Sequence, residues 1–385
     1  MAPPSPNLTG DAVAEILLRH RPEDPASLVR ASLVCKPWRR ILSDPTFPRR
    51  YRELHRTPPL LGFLDGAYAC EALISGSFVP VAPRVPPLIK PALEPASVRR
   101  AVDCRHGRVL VHTVGATTTR AVLALWDPVT GDHRVIRCRN PDVRSYNQRA
   151  AVLCSAAGCD HRDCHGGPFA VVTVGNAVAG PPRAVAWAYS SEAAAWSASV
   201  SLDLGQDPSD VSGRGAIVGD GLYFLLGRGT AILKYHLGEH CLSVIDSPCV
   251  STKPMVLMAM EDEGSLGLAG VLGSTLHLWS RKVDDDDPTM GVETTWVQHR
   301  VIDLGNLLPL DGRSYHEAYV TGFAEGVHAL FVSTDATIFV FELKSERVRK
   351  VGQVGFYYDV LPFMRFCIPD FASSKIGIGS GDGLK

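Results

Sequence analysis

The densest set of chemically capable side chains lies in one short stretch, CSAAGCDHRDCH, where Cys154, Cys159, His161, Cys164 and His165 fall within twelve residues. Thiolate and imidazole are donors that zinc takes four at a time in a tetrahedron, often from ligand pairs two to four residues apart. Here four residues separate successive cysteines, with the histidines interleaved, so a site is geometrically possible. No second ligand pair of matching spacing occurs elsewhere, and the stretch falls between strand-like segments. The plainer reading is a polar loop with one or two thiols tucked into the core, and no metal or cofactor is expected.

Other chemical signals are weaker. Asp103, Cys104 and His106 lie close together, but on a strand-and-turn pattern that recurs along the chain, which favours a turn-stabilising role over catalysis. Asp284–Asp287, followed by Pro288, lacks the spaced oxygen ligands and glycine turn of a calcium loop and reads as a solvated connection. Gly213–Gly221 has neither GxGxxG nor GK[ST]. GxSxG, HExxH and kinase signatures do not occur. The chain is therefore expected to have no catalytic residues and not to be an enzyme.

The chain's 385 residues exceed one ordinary core, and 35 Gly with 28 Pro favour many short elements joined by turns. Net charge is −1, yet residues 1–56 hold ten Lys/Arg against six Asp/Glu, a balance of +4. So mild a basic character suits an acidic protein partner and is too weak to predict nucleic-acid binding. The start MAPPSPNLTG has neither an apolar core nor a basic flank, so no secretory signal is expected and the sequon Asn7-Leu8-Thr9 has no glycosylation meaning. No apolar run is long enough to predict a membrane span. The ten cysteines read as reduced core thiols, which places the chain in cytoplasm or nucleus.

Up to about residue 56 the pattern is helical. Val13, Ile16 and Leu17 share one helix face, Asp24-Pro25 reads as N-cap plus first-turn proline, and Pro37 fits the first turn of a helix starting near Cys35-Lys36. Asp44-Pro45 ends that helix. The expectation is three short helices packed by Ile16, Leu17, Leu28, Val34, Trp38 and Ile41. So small a unit buries little apolar surface, which predicts that a partner covers part of it. Residues 57–98 are a Pro-rich connector and candidate first blade; 99–370 read as short strands with glycine turns recurring every 40–55 residues; 371–385 read as a flexible tail. Three or four strands per unit at that spacing predict a β-propeller of about six blades, the first closed by a strand within Phe356–Ile368. A large β-sandwich is the competing architecture.

The run RASLVCKPWRRILSDPTF, with Leu8-Thr9, Asp11 and Ile16-Leu17-Leu18 before it, resembles the F-box, the module that grips the Skp-type adaptor of cullin-based ubiquitin ligases. Matching positions include Pro25, Leu28, Arg30, Ser32, Val34-Cys35-Lys36, Trp38-Arg39 and Leu42. Thr9 in place of the usual proline and His20-Arg21 in place of an apolar-proline step depart from the pattern. The remainder resembles the propeller-like associated domain of plant F-box proteins, through Cys104-Arg105-His106-Gly107-Arg108, Trp126-Asp127-Pro128-Val129-Thr130-Gly131, and Tyr189-Ser190-Ser191-Glu192 with Trp196. The resemblance implies an adaptor dock formed by Leu8, Ile16, Leu17, Pro25, Leu28, Val34, Cys35 and Trp38, a cullin reached through the adaptor, and a target protein held by the β domain. Trp187, Trp196, Trp279 and Tyr315 could mark the target face, although blade packing is the commoner role for each. The alternatives are a propeller that binds or converts a small ligand with an incidental helical head, or an F-box protein acting outside a ligase.

Overall fold

Thr9 opens the first helix. Its Oγ1 accepts a hydrogen bond from the Ala12 backbone N–H at 3.3 Å, an N-cap that a proline could not supply. The computed structural model describes residues 8–65, 69–70, 78–85, 88–89, 98–114, 121–137, 148–205, 210–227, 229–249, 251, 253–260, 264–282, 295–305, 307–308, 318–335, 337–352, 357 and 359–368. The acidic run at Asp284–Asp287, Tyr315, much of the Pro-rich connector and the 371–385 tail lie outside them.

Helix α1 (Gly10–Leu18) is followed by α2 (Ala26–Ser32), α3 (Lys36–Leu42) and α4 (Thr46–His55). Pro37 sits in the first turn of α3, where a missing N–H costs nothing. Asp24 does not cap α2: its carboxylate takes Arg30 at 2.6 Å and Arg84 at 3.1 Å instead. The expected three-helix module is corrected to four helices. Asp44-Pro45 ends α3 but also starts α4, since Asp44 Oδ1 accepts from both the N–H and the hydroxyl of Thr46. The stripe of α4 is narrow, with Phe47 and Tyr51 one turn apart, and this hid the helix in the sequence. Val13, Leu17, Leu18, Leu28, Ala31, Leu42, Phe47 and Tyr51 form the head's core.

The remainder is six antiparallel sheets. Blade I combines Leu60–Asp65 and Phe78–Pro80 with the distant Val360–Met364. Blade II runs from Val98–Arg105 through Arg108–Val114 and Ala121–Trp126 to His133–Arg137, with Ala69–Cys70 along the free edge of its first strand. Blade III is built on Arg149–Cys154, Phe169–Asn176 and Arg183–Ser190. Blade IV spans Val211–Val218 to Cys241–Asp246, blade V Met255–Ala259 to Val297–Asp303, and blade VI Tyr319–Ala324 to Val348–Lys350.

The strands Val98–Arg105, Arg149–Cys154, Val211–Val218, Met255–Ala259, Tyr319–Ala324 and Val360–Met364 each touch the next, and the last touches the first. That closed ring of innermost strands defines a six-bladed propeller, and closure removes the free edges an open sheet would present. Each neighbouring pair of blades shares one apolar cluster; Leu330 and Phe341 of blade VI, for instance, meet Leu276 and Leu278 of blade V. Such face-to-face packing is how sheets bury their apolar sides. The turn between the first two strands of blade II has both central residues, His106 (φ 52°) and Gly107 (φ 73°), in the left-handed region, the geometry that matches hairpin twist.

Candidate functional site

Twelve large apolar side chains are exposed among the described residues, and six of them lie in the helical head: Leu8, Ile16, Val29, Leu33, Val34 and Leu54. Leu8 is 62 %, Ile16 44 %, Leu33 79 % and Val34 64 % exposed. So short a segment thus carries half of the exposed large apolar side chains among the described residues. Of the residues singled out from the sequence, Leu8, Ile16, Val34 and Cys35 are presented to solvent. Leu17 and Leu28 are 0 % and 2 % exposed and Pro25 is buried, so they build the head rather than its surface. Trp38 is half-buried against the same core. Leu33 and Val29 were not singled out, although Leu33 lies inside the matching run. Its exposure follows from its place just beyond the last turn of α2, where the helix no longer turns it inward.

The head is seated on one end of the propeller. Phe366, just past the inner strand of blade I, enters the head's core and meets Tyr51 edge to face at 6.2 Å between ring centres. The Tyr51 hydroxyl donates to His20 O at 2.7 Å, and His55 Nε2 donates to Leu18 O at 2.9 Å, so α4 closes the end of α1. His20, one of the two departures from the F-box pattern, thus supplies a backbone acceptor. Across the junction Arg52 of α4 pairs with Asp163 at 2.7 Å.

Beneath the head the propeller axis is filled by charge. Asp103 is fully buried and accepts from Arg105 Nε at 3.1 Å, Arg214 Nε at 2.8 Å, and the backbone N–H groups of Cys104 and Val152 at 2.9 Å each. Arg105 reaches Glu325 at 2.7 Å, and Arg214 donates to Cys104 O at 2.8 Å. One network therefore ties blades II, III, IV and VI together. Burial alone would raise the Asp103 carboxyl, but the two guanidiniums outweigh it and hold it below the usual carboxylate range. Burial pushes the Cys104 thiol up to about 12, which makes it a poor nucleophile. Burial, with the charges of His161 and Arg105 behind it, presses His106 down to about 4, so this ring is neutral at physiological pH.

The Cys/His stretch lies at the same end. His161 faces His106 at 4.5 Å between ring centres. Cys154, Cys159, His161 and Cys164 bring their donor atoms within 4.8 Å of one another. His165, the fifth candidate, turns away, with Nδ1 3.2 Å from Asp163. A 260 Å³ cavity opens between Arg56, Arg105, His106, His161 and Glu325. A second cavity, of 390 Å³, lies between blades V and VI over Met258, Leu278 and Phe323, with His299 and Arg300 at its edge.

The other motifs singled out are held for packing. Asp127 of Trp126-Asp127-Pro128 accepts from the Val129 and Thr130 N–H groups and pairs with Arg365 at 2.5 Å, which fixes the turn against the last strand. Ser191 Oγ accepts from Phe169 N at 2.8 Å. Trp187 and Trp279 are buried, and Trp196 donates from Nε1 to Arg137 O at 2.9 Å. Among the described residues no helix is long and apolar enough to cross a membrane.

No protein family and no curated protein matches the sequence. Similar solved structures include TolB from Acinetobacter baumannii, at 13 % identity and TM-score 0.40, covering 81 % of this chain and 68 % of that one. A Lactobacillus plantarum protein is similar at 14 % identity and TM-score 0.41, covering 76 % and 82 %. A streptogramin B lyase is similar at 11 % identity and TM-score 0.34, covering 66 % and 72 %. The six-bladed architecture rests on the sheets themselves.

Proposed function

We propose that this chain is a target-recruiting subunit of a Skp–cullin–F-box type ubiquitin ligase. Its helical head holds the Skp-type adaptor, and through it the cullin, while the propeller holds the protein to be modified. The observation that carries this reading is the exposed set Leu8, Ile16, Leu33 and Val34 on a helical module whose core Phe366 of the propeller already completes. Apolar side chains left outside a finished core have no folding role and lower solubility, which makes a protein partner the economical explanation. The F-box-like run spans the same residues.

No chemistry is required of such a subunit. It acts by proximity, raising the local concentration of target lysines at the ubiquitin-conjugating enzyme. Fold alone does not name the target.

The test is retention of a Skp-type adaptor by purified full-length protein. Ile16→Asp combined with Leu33→Asp should abolish retention and leave the far-UV circular dichroism and the melting temperature unchanged. Retention that survives this double substitution, or a native chain that never retains the adaptor or cullin, sinks the proposal.

A further inference from the structure

The loop between the first two strands of blade III, residues 155–168, has a sequence that cannot hold itself. It contains no side chain more apolar than alanine apart from its cysteines and Pro168. A loop of this length normally keeps one shape by packing its own apolar side chains. Yet the chain here takes a defined path, with Gly158 (φ 64°) and His161 (φ 58°) both in the left-handed region. Cys164 is buried and opens a short 3-10 turn, Cys164–Gly166. Apolar packing of the loop's own side chains therefore does not account for that path.

Four donor atoms meet at the loop's centre. Cys154 stands at the end of the innermost strand, Cys164 on the 3-10 turn, and Cys159 and His161 come from the span between them. The Cys164 Sγ to His161 Nδ1 distance is 3.8 Å, and no pair among the four exceeds 4.8 Å. All three cysteines are free thiols. Zinc–sulfur bonds of about 2.3 Å in a tetrahedron place sulfurs about 3.8 Å apart, so contraction of about an ångström at the widest pair completes the site. The surroundings suit the charge. Three thiolates around a divalent ion leave one net negative charge, and the Arg108 guanidinium lies against the loop, donating to the carbonyls of Cys164, His165 and Gly167. The His161 N–H points at Cys159 Sγ at 3.4 Å, a donor that stabilises a thiolate.

We propose that Cys154, Cys159, His161 and Cys164 form a structural zinc site that fixes this loop against the end of the propeller bearing the helical head. Three thiolates and one imidazole select zinc among common divalent ions, and four protein ligands leave no open position for catalysis. The ion's mechanical effect is to hold Asp163, which lies between two of the ligands, where it pairs with Arg52 of α4. The proposal stands independently of the ligase reading.

The test uses the full-length chain expressed in zinc-containing medium and purified without chelator. Elemental analysis should find one zinc per chain, and cobalt exchange should give the thiolate-to-metal charge-transfer absorption of tetrahedral cobalt. Cys159→Ser should lose both signals. Cys241→Ser, from the separate His236–Glu239–Cys241 group, should keep both. Alkylation followed by peptide mapping covers the case in which Cys159→Ser does not fold. In the native chain Cys154, Cys159 and Cys164 should resist modification until a chelator is added. Zinc well below one per chain, metal that survives Cys159→Ser or disappears with Cys241→Ser, a disulfide among the three cysteines, or alkylation indifferent to chelator each overturns the proposal.

Discussion

Asp103 takes four hydrogen bonds on two oxygens, and two of the donors are guanidiniums with little access to water. Asp103→Asn removes one of the two carboxylates facing Arg105 and Arg214 and leaves Glu325 alone against two buried guanidiniums. Breaking one side of a buried pair costs about 3–5 kcal/mol, so the urea midpoint should drop sharply, whereas disrupting the solvated Arg50–Glu15 pair should move it little. His112 gives a second prediction. Burial, with Arg100 and Arg149 nearby, lowers its pKa from 6.5 to about 4. The unfolded chain therefore binds a proton that the folded chain refuses between those values. Stability should be full above pH 6.5 and fall as the pH drops towards 4, by about 3 kcal/mol from this residue. His112→Gln should flatten that part of a urea-midpoint-against-pH curve; an unchanged slope would refute the assignment. Neither role was legible in the sequence. Asp103 was visible on a strand beside a turn, but its partner Arg214, and Glu325 which shares the same guanidiniums, are more than a hundred residues away, and only ring closure brings them together.

Among the elements, the outer strands announced themselves and several inner ones did not. Ala231–His236 and Ile338–Glu342 sit beside clear turns that mark them in the sequence. Arg149–Cys154, Met255–Ala259 and Tyr319–Ala324 carry no comparable signal in the sequence. Tyr319–Ala324 is buried along its whole length, which erases the two-residue alternation that reveals a half-exposed strand; Ala231–His236 is buried nearly as fully and is legible through its flanking turns. The helical head was legible for the opposite reason, because each helix keeps one wet face; only the narrow stripe of α4 escaped. The division of the head into core and surface residues makes a prediction at this scale. Leu28→Ala should cost about 2–5 kcal/mol, enough to unfold a module this small. Helical circular dichroism should be lost while the propeller's main melting transition persists. Loss of both signals together would instead mean that head and propeller unfold as one unit.

At the scale of the whole molecule, closure depends on close approach between the last blade and the first. A Cβ at Gly322 would sit 2.5 Å from the Val360 carbonyl oxygen, and backbone cannot move aside as a flexible side chain can. Gly322→Ala should therefore destabilise the ring by about 1–3 kcal/mol, read as a lowered melting temperature, although the substituted residue is itself a better strand former. An unchanged melting temperature would show that the two inner strands have slack. The number of blades was legible from the 40–55-residue spacing. So was the pairing of the first blade with the C-terminal strand, since a ring built from hairpins leaves its last strand without a partner.

The shared blade also sets an order of assembly. During synthesis the helices and the strand Leu60–Asp65 leave the ribosome long before Val360–Met364, so that strand has no inner neighbour until Val360–Met364 has been made, and the head has no seat until Phe366 follows. A chain halted before Val360 carries an open ring and a helical module with a hole in its core. Both defects expose apolar surface that chaperones and proteases recognise. The strand Val360–Met364 and Phe366 thus complete the ring and the head's seat together, and a chain lacking them cannot hold its head in the seated orientation.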